Sequence, residues 1–195
     1  MKTYRDHYFQ RAKQDNYPAR SVYKLKEADK RFKLLRPGQK VLDLGASPGS
    51  WSLYAAGKVG PSGRLLALDL NPLTIELPEQ ALFMQGDVFD ESGDGYRLIL
   101  DRAPYDVVLS DMAPRTTGVK FADQARSLDL ADQALALCKA CLIKGGSFVV
   151  KFFEAQEAKV LLDEMRIVFA RVQGFKPKSS RPESKEMFYI ATGKK

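Results

Sequence analysis

Apolar positions along this chain follow two alternating rhythms. Val41-Leu42-Asp43-Leu44, Leu65-Leu66-Ala67-Leu68-Asp69, Ala81-Leu82-Phe83-Met84, Tyr105-Asp106-Val107-Val108-Leu109-Ser110 and Ser147-Phe148-Val149-Val150-Lys151 are short, nearly unbroken apolar runs. Such runs predict strands buried on both faces. Between them lie longer stretches with helical spacing: Arg20–Phe32, stopped by Arg36-Pro37-Gly38, then about Gly49–Gly57, Asp123–Leu142 and 156–167. Two further strand-like runs, 169–175 and 187–192, close the chain. Strands alternating with helices predict an α/β protein with a mostly parallel sheet.

Sheets of this kind bind ligands beyond the carboxyl ends of their strands, where the strand order reverses. Gly45, Asp69, Asp87, Asp111 and Lys151 each stand just after one of the successive apolar runs. One acidic strand end is ordinarily a turn or a helix cap. A series of them on one edge points to a site.

Composition narrows the class. With 45% hydrophobic residues in 195, the chain can bury a core, and one compact domain over 1–195 is expected. No run is long and apolar enough for a membrane span, and Met1–His7 lacks the apolar stretch of a signal peptide, so a cytoplasmic location is expected. The two cysteines, in Cys138-Lys139-Ala140-Cys141, sit among leucines and read as a packed helix face. His7 is the only histidine, which disfavours metal sites and Ser-His-Asp catalysis.

The net charge of +7 is unevenly placed. Residues 1–40 carry 12 Lys/Arg against 4 Asp/Glu, residues 171–195 carry 7 against 2, and the middle is net acidic. Basic ends around an acidic middle suit a polyanion such as nucleic acid, with an acidic protein or membrane surface as the other reading. Tyr4, Tyr8, Phe9, Tyr17 and Tyr23 are interleaved with the basic residues; they suit base stacking or, equally, the inner face of an N-terminal helix.

The first strand leads into Asp43-Leu44-Gly45-Ala46-Ser47-Pro48-Gly49-Ser50-Trp51. Its glycines are spaced Gly-x-x-x-Gly, so a dinucleotide fingerprint is absent, as is a P-loop. Small residues there admit a ligand to the backbone, Asp69 suits two ribose hydroxyls, and Asp87 suits an adenine amino group. A ligand with ribose, adenine and a charged, non-phosphate tail is S-adenosylmethionine. Tyr54-Ala55-Ala56-Gly57-Lys58 imitates a dehydrogenase Tyr-x-x-x-Lys but lies in the wrong helix for that role.

From about Arg20 to Thr192 the chain resembles the FtsJ/RrmJ family of ribose 2′-O-methyltransferases. The resemblance rests on Arg20-Ser21-Val22-Tyr23-Lys24-Leu25, the loop Asp43–Ser52, Ser110-Asp111-Met112-Ala113-Pro114, Val150-Lys151-Phe152-Phe153 and Ser184-Lys185-Glu186-Met187-Phe188-Tyr189. It implies a Rossmann-like methyltransferase fold with an antiparallel last strand. It also implies a catalytic tetrad of Lys24, Asp111, Lys151 and Glu186, and cofactor contacts from Asp43, Gly45, Ala46, Pro48, Gly49, Trp51, Asp69, Asp87 and Asp111. Ser47, Ser50 and Arg115 depart from the family's usual Ala, Gly and Asn.

The chemistry agrees. Methyl transfer from a sulfonium is an in-line displacement, so positioning does most of the work. The hydroxyl must lose its proton, and a lysine can take it only when neutral. Lys151 suits that role, with Lys24 as a neighbouring cation, Asp111 aligning Lys151 or the cofactor, and Glu186 orienting the lysines. Asp111-Met112-Ala113-Pro114 lacks the aromatic that stacks a flipped base, which favours oxygen over base nitrogen. The resemblance implies a uridine in the A loop of large-subunit ribosomal RNA as substrate, within the large ribosomal subunit, and a monomeric enzyme with 1–40 binding RNA and 41–195 as catalytic core. A tRNA anticodon-loop methyltransferase and a non-catalytic RNA-binding protein are the alternatives.

Overall fold

A computed structural model describes residues 7–154, 157–181 and 184–195. Tyr4, and residue 156 where the last helix is predicted to begin, lie outside the described residues. The elements run α1 (His7–Gln14), α2 (Val22–Phe32), β1 (Lys40–Leu44), α3 (Ser50–Val59), β2 (Arg64–Asp69), β3 (Ala81–Gln85), α4 (Asp94–Asp101), β4 (Tyr105–Ser110), α5 (Lys120–Cys141), β5 (Leu142–Phe153), α6 (Ala158–Val168), β6 (Phe169–Phe175) and β7 (Glu186–Lys194). The strands form one sheet in the order β3-β2-β1-β4-β5-β7-β6. β1 pairs in parallel with β2 and β4, and β4 with β5, while β7 runs antiparallel to both β5 and β6. The predicted α/β sheet with an antiparallel last strand is the observed one.

Alternation along the strands divides the interior into two layers. Leu42, Leu44, Leu66, Leu68, Val108, Phe148 and Val150 face α5 and α6. Val41, Leu65, Ala67, Val107, Leu109 and Val149 face α2 and α3. Both faces are covered, which is why these strands read as unbroken apolar runs. Cys138 and Cys141 pack in the first layer, where burial pushes both thiols up, that of Cys141 to about 11.

Two elements differ from the sequence reading, and a third takes one of the alternatives it left open. Helix α4, unassigned in sequence, presses Ile99 into the core. Strand β5 starts earlier, at Leu142, because Gly145 takes a φ of 78° and the chain continues through a register shift opposite β4. Residues 7–14 are helical, and Tyr8, Tyr17 and Tyr23 pack with Ala12 and Val22. Those tyrosines therefore form an inner face, which leaves Phe9 exposed. Tyr54 donates to Asp29 Oδ2 at 2.8 Å, joining α3 to α2.

Candidate active site

Strand order reverses between β1 and β4, so a crevice opens past their carboxyl ends. The cleft there measures about 620 Å³ and is lined in part by Gly45, Ser47, Asp69, Asp87, Asp111 and Lys151. That volume suits one small cofactor. The sequence reading thus finds the edge and most of its polar groups.

Local turns set the cofactor-facing wall. Asp69, ending β2, accepts from the Ser47 amide at 2.9 Å and the Asn71 amide at 2.7 Å. Asp87 accepts from the Phe89 amide at 2.9 Å. Each carboxylate shapes its own loop and presents its remaining lone pairs to the cleft. Gly45 has a φ of 77°, and a Cβ there would lie 2.7–2.8 Å from Met112 Cγ, Cα and N. Only glycine lets the β1 and β4 loops approach this closely.

Asp43 sits one layer deeper. It is fully buried in β1 and accepts from Ser52 Oγ at 2.6 Å, while Oδ1 has no partner among the described residues. Burial raises its pKa to about 7; the nearby Asp111 and Asp69 charges add to the rise, and the Ser52 hydrogen bond opposes it. Five predicted cofactor residues lie outside the cleft lining: Asp43, Ala46, Pro48, Gly49 and Trp51. Of these, Trp51 holds its side chain away from the cleft. Its Nε1 donates to Ser21 O at 2.9 Å and its ring stacks on Phe188 beneath α2, because the first turn of α3 points it into the sheet. Gly49 instead permits the turn into α3, with a φ of 115°. Ser50 also faces inward, accepting from the Ala19 amide at 2.8 Å.

The tetrad resolves into two ion pairs. Lys151 Nζ, buried at the end of β5, lies 2.9 Å from Asp111 Oδ1. Lys24 Nζ lies 2.6 Å from Glu186 Oε2, with both side chains largely buried. Burial works against the Glu186 charge, but Lys24, the Ser180 hydroxyl and the more distant Lys151 outweigh it and hold its carboxyl below the usual range. Lys24 therefore carries its own counter-charge, supplied by the glutamate expected to orient the lysines. Lys24 and Glu186 line a second recess with Arg20, Ser21, Arg181 and Ser184, and Ser21 borders both recesses.

Groups not singled out in the sequence hold this second recess together. Glu27 accepts from the Lys178 and Ser179 amides at 2.7 and 2.9 Å, and Arg20 donates to Ser179 O. Only the three-dimensional pairing reveals them. Leu70, Val88, Phe89 and Leu130 give the main cleft its apolar lining, and nothing in their local sequence marks them.

The donor set answers which group fits. Three carboxylates against Lys151 and, at the rim, Arg115 leave the cleft net acidic, which suits hydroxyls, an amino group and a positive charge, as S-adenosylmethionine carries, better than phosphates. Fold and cleft together define a methyltransferase dependent on S-adenosylmethionine. The chain belongs to the FtsJ-like methyltransferase family, whose profile matches residues 17–194.

It is 61% identical over 193 residues to ribosomal RNA large subunit methyltransferase E of Nitratidesulfovibrio vulgaris strain Miyazaki F, covering 99% of this chain and 96% of that one. It is 52% identical to the Lawsonia intracellularis protein of the same name, with the same coverages. A Plasmodium falciparum structure described as a ribosomal RNA methyltransferase superposes with a TM-score of 0.80 at 24% identity, covering 91% of this chain and 98% of that one. Human methyltransferase-like protein 13, solved with SAH, superposes with a TM-score of 0.56 at 16% identity, covering 80% and 72%. These two likenesses bear on the fold. No described helix is long and apolar enough to cross a membrane.

Proposed function

We propose that the chain methylates a ribose 2′-hydroxyl of large-subunit ribosomal RNA, at a uridine of the A loop, acting as one domain, as a monomer, on the large ribosomal subunit in the cytoplasm. The observation that carries this reading is Lys151: a buried amine, aligned by Asp111, at the wall of an acidic cleft and beside a recess lined by Lys24, Arg20 and Arg181. The names of the close relatives support the substrate.

When bound, S-adenosylmethionine supplies a methyl group on a sulfonium. Asp69 holds the ribose hydroxyls and Asp87 the adenine amino group. Asp111 fixes the Lys151 amine toward the acceptor, and neutral Lys151 takes the proton from the 2′-hydroxyl as the oxygen attacks. The ion pair at rest means that a proton leaves Nζ before it can accept one. Glu186 fixes Lys24, which with Arg20 and Arg181 neutralises the phosphates flanking the acceptor. The basic segment 1–40 grips RNA through its outer, charged face, since its described tyrosines are turned inward.

Tritium transfer from labelled S-adenosylmethionine to large-subunit RNA, followed by nuclease mapping, tests the reading. Label on a ribose of the A loop is expected. Label on a base, or on the tRNA anticodon loop instead, overturns it.

A further inference from the structure

The acidic middle of the chain hides a third basic cluster. Arg115, Lys120 and Arg126 fall within twelve consecutive residues whose one acidic member, Asp123, is buried. All three cations are exposed, and none makes an ion pair with another described residue. Among them stands Phe121, 72% exposed, with Val119 beside it at 60%. An aromatic that open contributes little to the core.

The segment has a set shape. Asp123 accepts from the Thr117 amide at 2.8 Å, the Thr117 hydroxyl at 2.9 Å and the Gly118 amide at 3.1 Å, and Gly118 takes a φ of 84°. At one end Arg115 lines the main cleft and a smaller recess of about 280 Å³ shared with Arg126. At the other, Gln124 donates to Glu154 O just past β5, the strand that carries Lys151. The segment therefore bridges the carboxyl edge over the β4–β5 junction, on the rim of the place where the acceptor must enter.

We propose that residues 115–126 are a second RNA contact, in which Phe121 is a stacking platform for an unpaired base next to the target nucleotide and Arg115, Lys120 and Arg126 hold its phosphates. This rests on the proposed RNA substrate. An exposed ring among exposed cations fits single-stranded RNA, because any base offers a π-face while the cations track the backbone. The acceptor strand then lies between two grips, with the basic ends on one side and this rim on the other.

The test compares the parent, Phe121→Ala and Phe121→Trp in binding to a short unstructured oligouridylate and to the same strand paired with its complement. Phe121→Ala should weaken single-strand binding about 5- to 150-fold, the range for loss of one base–aromatic stack. Phe121→Trp should restore it, and duplex binding should not change. In transfer assays KM for RNA should rise while kcat and cofactor affinity hold. Arg115→Ala with Lys120→Ala should lower the salt slope by about 0.7 per lost contact. Unchanged single-strand affinity in Phe121→Ala, or equal loss on both strands, overturns the platform. If the parent binds oligouridylate through Phe121 but methylates no RNA, the platform stands and the enzymatic reading fails. If transfer is intact and indifferent to Phe121, the reverse holds.

Discussion

The two halves of the carboxyl edge are built differently. On the β1–β3 half, each polar group is held by chain close at hand: Asp69 by Asn71, two residues away, and by Ser47, 22 away, and Asp87 by Phe89, again two away. On the β5–β7 half, Lys24 meets Glu186, Arg20 meets Ser179, and Glu27 meets Lys178 and Ser179, across 151–162 residues. The cofactor wall is thus shaped by turns that each strand end makes for itself. The acceptor wall depends on the whole sheet being in register. Damage to the first should show in cofactor affinity, and damage to the second in chemistry and stability.

The largest effect tests where the two walls meet. Lys151→Ala should abolish transfer, and Lys151→Arg should fail as well, because a guanidinium cannot serve as base. Calorimetry should find cofactor affinity preserved in both. An arginine variant within about tenfold of the parent rate, or about 1.4 kcal/mol of barrier, would refute the proton-transfer role. Single-turnover transfer in the parent should climb with pH and then level off.

Next comes the acceptor wall alone. Lys24→Ala leaves a largely buried Glu186 without its partner, so stability should fall by about 3 kcal/mol, the low end for breaking a buried pair. Urea melts measure this, and S-adenosylmethionine affinity should stay near the parent's. If cofactor binding fell while stability held, the division of the edge into two walls would be wrong.

The cofactor wall gives the converse. Asp69→Ala should weaken S-adenosylmethionine by about 1–3 kcal/mol through lost charged hydrogen bonds, with little effect on RNA affinity. An unchanged dissociation constant in the folded variant removes Asp69 from the site.

The last test reads a slope. Asp43 titrates near 7 in the folded chain against an ordinary 3.8, so the native state binds its proton more tightly. Its contribution to stability is full below about 3.8, declines as pH rises towards 7, and is flat above that. Asp43→Asn should lack this decline. Urea melts at about pH 5 and about pH 8 compare the two proteins, and equal slopes would place the titration elsewhere.

The same contrast explains what was legible in the sequence. The buried parallel strands announce themselves as apolar runs, and the residue after each run falls at the edge, so Asp69, Asp87, Asp111 and Lys151 could be placed by counting. Helix α4 escaped because Asp94–Asp101 is short and follows a loop rich in Asp and Gly. The inward turn of the Trp51 side chain could not be read, because proximity to the glycine loop says nothing about which way the first turn of a helix faces. Glu27 and Arg20 were invisible as supports, since their partners are backbone atoms more than 150 residues away. Lys24 and Glu186 could be linked only through resemblance.

Strand β7 follows every other strand in the chain, yet it lies between β5 and β6. During synthesis β5 and β6 are both complete before β7, the strand that pairs with each of them. Their facing backbone groups stay unpaired until residues 186–194 arrive and insert. Until β7 seats between them, the open edges of β5 and β6 are the ones most prone to pair with a wrong neighbour.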